Sequence, residues 1–169
     1  YVTDPGYRAF VAEAIARPNV IVTRTLSKIY GLAGIRLGYA IAQAGTAREI
    51  NGFAAGTNVN ALAIAAGIAC LDDDDYVKRS LALNANGVKF VYRTLDGLGL
   101  TYLPTHANFV MHRINGDLPT YIAKMLENNI RVGRAFPPLL THNRISIGLP
   151  EEMNAWASAL RSLRKQGLA

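Results

Sequence analysis

The chain has 169 residues, half of them hydrophobic and 18% charged, with a formal net charge of +6. A single cysteine, Cys70, excludes an internal disulfide and fits a reducing compartment. The Lys and Arg residues are scattered and no aromatics interleave with them as a binding stripe, so the positive charge does not mark a nucleic-acid partner. The longest apolar stretch, "NALAIAAGIACL", is too short to span a bilayer, so no membrane is expected either. The chain opens on Tyr1 close to a loop, which reads as a piece of something longer with the remainder on its N-terminal side.

In chain order, "YRAFVAEAIARPNV" predicts a short amphipathic helix with Phe10, Val11, Ala14 and Ile15 on one face, ended by Pro18 and Asn19. "VIVTRTL" and "IRLGYAIA" predict two buried strands flanking a loop of small residues that carries Lys28 and Arg36. "TAREINGF" predicts a helix capped by Thr46. After the Gly56-Thr57-Asn58 turn, "VNALAIAAGIACL" predicts an alanine-rich helix buried on most sides, with Asn58 and Asn60 as caps. The run Asp72 to Asp75 resembles a metal site only superficially. Adjacent aspartates point in different directions, and four of them ahead of a long periodic segment fit a helix N-terminus. That helix should end near Gly97 and Gly99.

Beyond Gly99, "LTYLP", "NFVMHRI", "IRVGR" and "RISIGL" predict short strands. "LPTYIAKMLENN" and "PEEMNAWASALRSLRKQ" predict amphipathic helices, the second with Pro150 in its first turn. The alternation predicts a small α+β domain. The domain reading is therefore 1–75 as the C-terminal portion of a larger α/β domain, and 76–169 as a connecting helix and small C-terminal domain.

A lone cation between buried strands needs a partner or a task. Composition alone allows a structural salt bridge. The sharper alternative is a Schiff-base lysine, because a desolvated amine can attack a carbonyl. A phosphate-bearing cofactor would then need hydroxyls and a guanidinium nearby, and Thr25, Ser27 and Arg36 supply those types on the same loop. Gly31 and Gly34 would let the backbone approach.

"TRTLSKIYGLAGIRLGYAIA" closely resembles the lysine motif of the class I/II, fold-type I aminotransferases, most of all the histidinol-phosphate aminotransferase branch. "THANFV", "IRVGR" and "NRISIGLPEEMNAWASAL" resemble the small C-terminal domain of that family. In that branch a D-E-A-Y segment precedes the lysine, and Tyr1, 27 positions before Lys28, matches its tyrosine. The resemblance covers essentially the whole chain as a C-terminal half. It implies pyridoxal 5′-phosphate as cofactor, with Lys28 forming the Schiff base and moving a proton between substrate and cofactor. It implies Thr25, Ser27 and Arg36 on the phosphate, Tyr1 on the phenolic oxygen, and Arg144 on the substrate's carboxylate or phosphate. Arg134, at the end of "IRVGR", reads either as a second contact to the substrate's anion or as a solvated charge. It further implies a cytoplasmic homodimer in amino-acid biosynthesis, taking a small-molecule amino donor and a 2-oxo acid acceptor. The aspartate expected just before Tyr1 is not in this sequence, so the chain alone holds an incomplete site.

Two other activities fit the same motif: a decarboxylase or lyase on the same scaffold, and a cofactor-sensing regulatory domain. His106, His112 and His142 lack metal-ligand spacing and are expected at structural or surface positions. The segment "AFPPLL" is expected to form a rigid loop at the mouth of the site.

Overall fold

A computed structural model describes residues 1–54, 56 and 58–169, which divide into two units, Thr3–Ser80 and Leu81–Ala169, the second also holding Tyr1–Val2. In the first unit, α1 (Val11–Ala16) follows Phe10, and only Ala14 is fully buried. The expected apolar face is not covered, since Phe10 and Ile15 are exposed. Strands β1 (Val22–Thr25) and β2 (Gly38–Ile41) pair antiparallel, with Val22 opposite Ile41 and Thr25 opposite Gly38. The expected burial of these strands is not found. They form a two-stranded ribbon with no third strand among the described residues, so their side chains stay half or fully exposed.

Helix α2 (Ala44–Gly52) starts three residues earlier than a Thr46 cap would allow. Gln43 occupies the cap position, and the Thr46 hydroxyl donates instead to the Pro18 carbonyl at 2.7 Å, tying the helix to the chain ahead of β1. Helix α3 (Ala61–Leu71) is capped as the sequence predicts, with Asn60 Oδ1 accepting from Ala63 N at 2.8 Å. Its predicted burial is not found. Ala63 and Gly67 are covered, whereas Leu62, Ile64, Ile68 and Leu71 are exposed. Of the preceding turn, Thr57 lies outside the described residues.

Helix α4 (Asp74–Gly97) begins in the acidic run, where Asp73 Oδ1 accepts from Tyr76 N at 2.8 Å. Leu98 and Leu100 close its C-terminal end by donating onto the Leu95 carbonyl, with Gly99 at φ 64° between them. In the second unit, β3 (Tyr102–Leu103), β4 (Phe109–Arg113) and β5 (His142–Ser146) form an antiparallel sheet in that order. Phe109 lies opposite Ser146 and Met111 opposite Arg144. One face of the sheet carries Val110, His112, Asn143 and Ile145, all buried. These residues share a core with Val91 and Leu95 of α4, Tyr121 and Met125 of α5 (Leu118–Glu127), and Trp156, Leu160 and Leu163 of α6 (Pro150–Lys165).

Both of the last helices start on local signals. Asp117 accepts from Thr120 N at 3.0 Å, and Glu152 Oε2 accepts from Leu149 N at 2.7 Å ahead of Pro150. "IRVGR" is not the strand its composition predicts. Asn129 is left-handed at φ 60°, and Pro137 and Pro138 downstream have no N–H to donate to a ladder. The segment runs irregularly beside β5, tied by Gly133 N donating to the Arg144 carbonyl at 2.9 Å.

Candidate active site

The lysine loop hangs from the open end of the β1–β2 ribbon. Leu26 is buried at its neck and donates from its backbone N to the Leu37 carbonyl at 3.1 Å, while Leu32 N donates to the Leu26 carbonyl. Leu26 and Leu37 both lie against Gly67 of α3, where an added Cβ would run into the end of the Leu37 side chain and touch that of Leu26. The small residue on α3 therefore seats the loop. Above this neck, Gly31 N donates to the Lys28 carbonyl at 2.9 Å and closes a tight turn. Gly31 sits at φ 71°, a backbone that favours glycine, and a Cβ there would also have to displace the Tyr76 hydroxyl.

Thr25 and Ser27 come together on this frame. Thr25 Oγ1 lies 2.8 Å from Ser27 Oγ and also accepts from Ser27 N at 3.1 Å. Lys28 follows directly and is exposed, with no ion pair among the described residues. The salt-bridge reading of this lysine finds no partner here. Arg36 is also exposed, and it has an unusual backbone at φ 62° and ψ 47°. Its guanidinium turns back to donate from Nη1 to the Ala33 carbonyl at 2.7 Å. A non-glycine residue held left-handed costs about 1–2 kcal/mol, so position 36 keeps its arginine against a local conformational cost. Tyr1, the other residue expected here, groups with the second unit.

Nearby, Cys70 is half-buried and its thiol donates to the Gly67 carbonyl at 3.2 Å. Burial pushes the thiol up from its ordinary range, which keeps it protonated and unreactive.

Arg144 and Arg134 meet in the second unit around one ring. Arg144 is in the middle of β5 and its side chain leaves the sheet on the face opposite Asn143 and Ile145, as strand alternation requires. Its guanidinium carbon lies 4.6 Å from the Phe136 ring centre and 5.2 Å from that of Phe109. The Arg134 guanidinium carbon lies 4.3 Å from the same Phe136 ring. Gly133 makes this arrangement possible. A Cβ at 133 would come within 2.6 Å of the Arg144 carbonyl, so only glycine allows the segment to lie against β5. Asn143 Nδ2 adds a second tie by donating to the Gly133 carbonyl at 2.9 Å. The two phenylalanines carry no polar signal in the sequence and were not among the expected site residues.

His112 takes a structural place, as expected. Its Nδ1 lies 3.0 Å from the Arg113 carbonyl, which can only accept, so the ring proton sits on Nδ1. Nε2 faces the Tyr121 hydroxyl at 3.5 Å, and the imidazole stands edge-on to Tyr121 and Trp156. Burial lowers the His112 pKa to about 4, with a smaller contribution from the charge of His142, while the bond to the Arg113 carbonyl opposes the shift. Burial likewise pushes the Tyr121 phenol up. Among the described residues no three His, Cys, Asp or Glu side chains form a metal-binding group, and no helix is long and apolar enough to cross a membrane.

A glycine-turned lysine loop with paired hydroxyls, and a small α+β unit presenting Arg144 from a strand and Arg134 from the irregular segment beside it, define the chain's class. Residues 2–160 match the family model described as aminotransferase class I and II. The chain belongs to that family. It is 41% identical over 157 residues to histidinol-phosphate aminotransferase 2 of Ralstonia nicotianae, covering 90% of this chain and 42% of that protein. The crystal structure of histidinol-phosphate aminotransferase from Sinorhizobium meliloti in complex with pyridoxal-5′-phosphate superimposes with a TM-score of 0.84 at 31% identity. That match covers 92% of this chain and 44% of the other. L-threonine-O-3-phosphate decarboxylase from Porphyromonas gingivalis is also similar, with a TM-score of 0.78 at 25% identity, covering 92% of this chain and 50% of that one. The chain spans a little under half the length of the curated relatives it matches, as their C-terminal half.

Proposed function

We propose that this chain is the C-terminal half of a pyridoxal 5′-phosphate-dependent aminotransferase. Its reaction moves the amino group of an amino-acid-derived donor, histidinol-phosphate-like or aromatic, to a 2-oxo acid, and its working form is a homodimer. Residues 1–75 then contribute the C-terminal portion of the large cofactor-binding domain, and 76–169 the connecting helix and the small domain. One observation carries the reading: Thr25, Ser27 and Lys28 present two hydroxyls in mutual contact and an amine within four residues of a loop turned at Gly31 and packed against Gly67.

The donor set fits the cofactor. Two hydroxyls and an exposed guanidinium, Arg36, are the groups that a phosphate monoester accepts hydrogen bonds from, and an exposed amine suits a carbonyl. When bound, the cofactor supplies an electron sink for the substrate's Cα. The chain's own residues supply the rest. Thr25, Ser27 and Arg36 hold the phosphate, and Lys28 Nζ anchors the carbonyl end and carries protons to and from the substrate Cα. The Tyr1 hydroxyl donates to the phenolic oxygen. Arg144 binds the donor's carboxylate or phosphate with its two-pronged fork, and Arg134 adds a second positive charge.

The test is borohydride reduction of the full-length protein followed by peptide mapping. The label should fall on Lys28, and Lys28→Ala should abolish it; a label on another lysine refutes the assignment. The similarity to the decarboxylase from Porphyromonas gingivalis favours a second reading, loss of carbon dioxide on the same scaffold. Measuring amino transfer to 2-oxoglutarate beside carbon dioxide release separates the two.

A further inference from the structure

We propose that Phe136 and Phe109 are positioning residues for the anion site assigned above to Arg144 and Arg134, an inference that rests on that reading. An arginine that must meet an incoming anion needs a brace, because its long side chain otherwise spreads over many rotamers. The common brace is a carboxylate. A carboxylate would neutralise the guanidinium and compete for the same N–H donors. Among the described residues neither arginine has one within ion-pair distance.

Rings take that place. The Arg144 guanidinium lies against Phe136 and Phe109, at 4.6 and 5.2 Å from their centres, and Arg134 lies 4.3 Å from the Phe136 centre. An aromatic ring attracts the cation through its quadrupole but accepts no conventional hydrogen bond, so the ring itself occupies none of the fork's donors; Arg134 gives one of its own, Nη1, to the Ala135 carbonyl at 2.9 Å. Arg144 Nε is buried and has no partner among the described residues, so its desolvation is not offset by any acceptor of this chain.

Topology explains how three distant positions converge. Met111 is directly opposite Arg144 in the β4–β5 ladder, which makes Phe109 its diagonal neighbour on the same face. Arg134 and Phe136 are two apart in an irregular segment tied to β5 at Gly133. One ring thus serves two guanidiniums, concentrating two positive charges beside a single aromatic side chain. The arrangement suits an acceptor with several anionic oxygens.

The experiment uses the full-length holoenzyme and inorganic phosphate as a competitive inhibitor against the amino donor. F136L, F136Y, F109L and R144A are compared, with kcat and the thermal midpoint measured alongside. F136L should weaken phosphate inhibition and raise the donor KM about tenfold. Its kcat should stay within about twofold, and F136Y, which keeps the ring face, should restore the wild-type values. A merely structural role would not produce a KM effect that the ring alone rescues. If R144A abolishes phosphate inhibition and F136L leaves it unchanged, the brace is refuted and the anion site stands. If R144A also leaves it unchanged, the anion-site reading fails and takes the brace with it. Should F136L not fold, F109L decides, and unchanged phosphate inhibition in F109L overturns the proposal.

Discussion

Acid should weaken the second unit through one residue, His112. Protonating this imidazole places a cation in a core shared with Tyr121 and Trp156, where the Arg113 carbonyl and the Tyr121 hydroxyl face its nitrogens, Asn143 lies opposite it in the ladder and His142 adds an unfavourable charge. The unfolded chain takes up that proton near pH 6.5, the folded chain only near 4. Between those values the unfolded state binds more protons, so stability rises with pH. The contribution is fully present above about pH 6.5, declines as the pH falls through the window, and levels off below about pH 4. The full interval corresponds to about 3 kcal/mol, of which about 2 kcal/mol falls between pH 7 and pH 5. His112→Phe keeps the ring's contacts and removes the titration. The assay is urea unfolding of the chain at pH 7 and pH 5, followed by the fluorescence of Trp156, the single tryptophan. Wild type should lose about 2 kcal/mol more than the variant on acidification. Equal losses would refute the reasoning.

Arg36→Gly should separate stability from cofactor retention. The left-handed strain is relieved, so the thermal midpoint should hold or rise, by up to about 1 kcal/mol in stability, while the cofactor becomes removable by dialysis of the full-length enzyme; retention as tight as in wild type removes Arg36 from the phosphate site. Gly133→Ala forces a methyl against the Arg144 backbone and should cost about 1–3 kcal/mol in urea unfolding, with weaker donor binding; an unchanged midpoint would mean the segment yields freely. Residues 81–169 expressed alone should unfold cooperatively in urea, because their core is internal to them, whereas residues 3–80 alone should show no cooperative transition.

The features legible in the sequence are those whose causes are local. Asp73 and Asn60 cap their helices through side chains three residues from the amides they bind, a spacing visible in the sequence. Pro150 and Glu152 announce α6 in the same way. The lysine loop was legible because its chemistry-bearing residues occupy one short run. Thr46 was misplaced since its hydroxyl finds a stronger claim in the Pro18 carbonyl, 28 residues away. "IRVGR" has strand composition, but its backbone pairing is limited by Gly133 lying against Arg144 and by the prolines that follow. The aromatic brace was invisible for a related reason. Phe109, Phe136 and Arg144 are joined only by the sheet register and a loop tie, and a phenylalanine reads as core until its neighbours are known.

The two units differ in how far their apolar residues are satisfied, and the difference bears on the chemistry. The second unit buries a continuous cluster from Val91 to Leu163 across helices and sheet. In the first, α3 is hydrophobic nearly all round, the mark of a helix enclosed by other structure. Yet Leu62 is 78% exposed and Ile68 62%. Lys28 and Arg36, in the same unit, are exposed as well. Nucleophilic lysine chemistry and phosphate binding both gain from exclusion of water, which strengthens each charge-bearing contact. Under the proposed function, the rest of a protein about twice this length has two tasks in this unit: to cover the apolar sides of α3, and to dry the surroundings of Lys28. Both follow from one physical deficit: among the described residues no further layer covers the two-stranded ribbon or the exposed apolar side chains of α3. The loop's local ties, the turn at Gly31, the packing against Gly67 and the Thr25–Ser27 contact, all lie within this chain. The dryness that makes the loop reactive has to come from outside it.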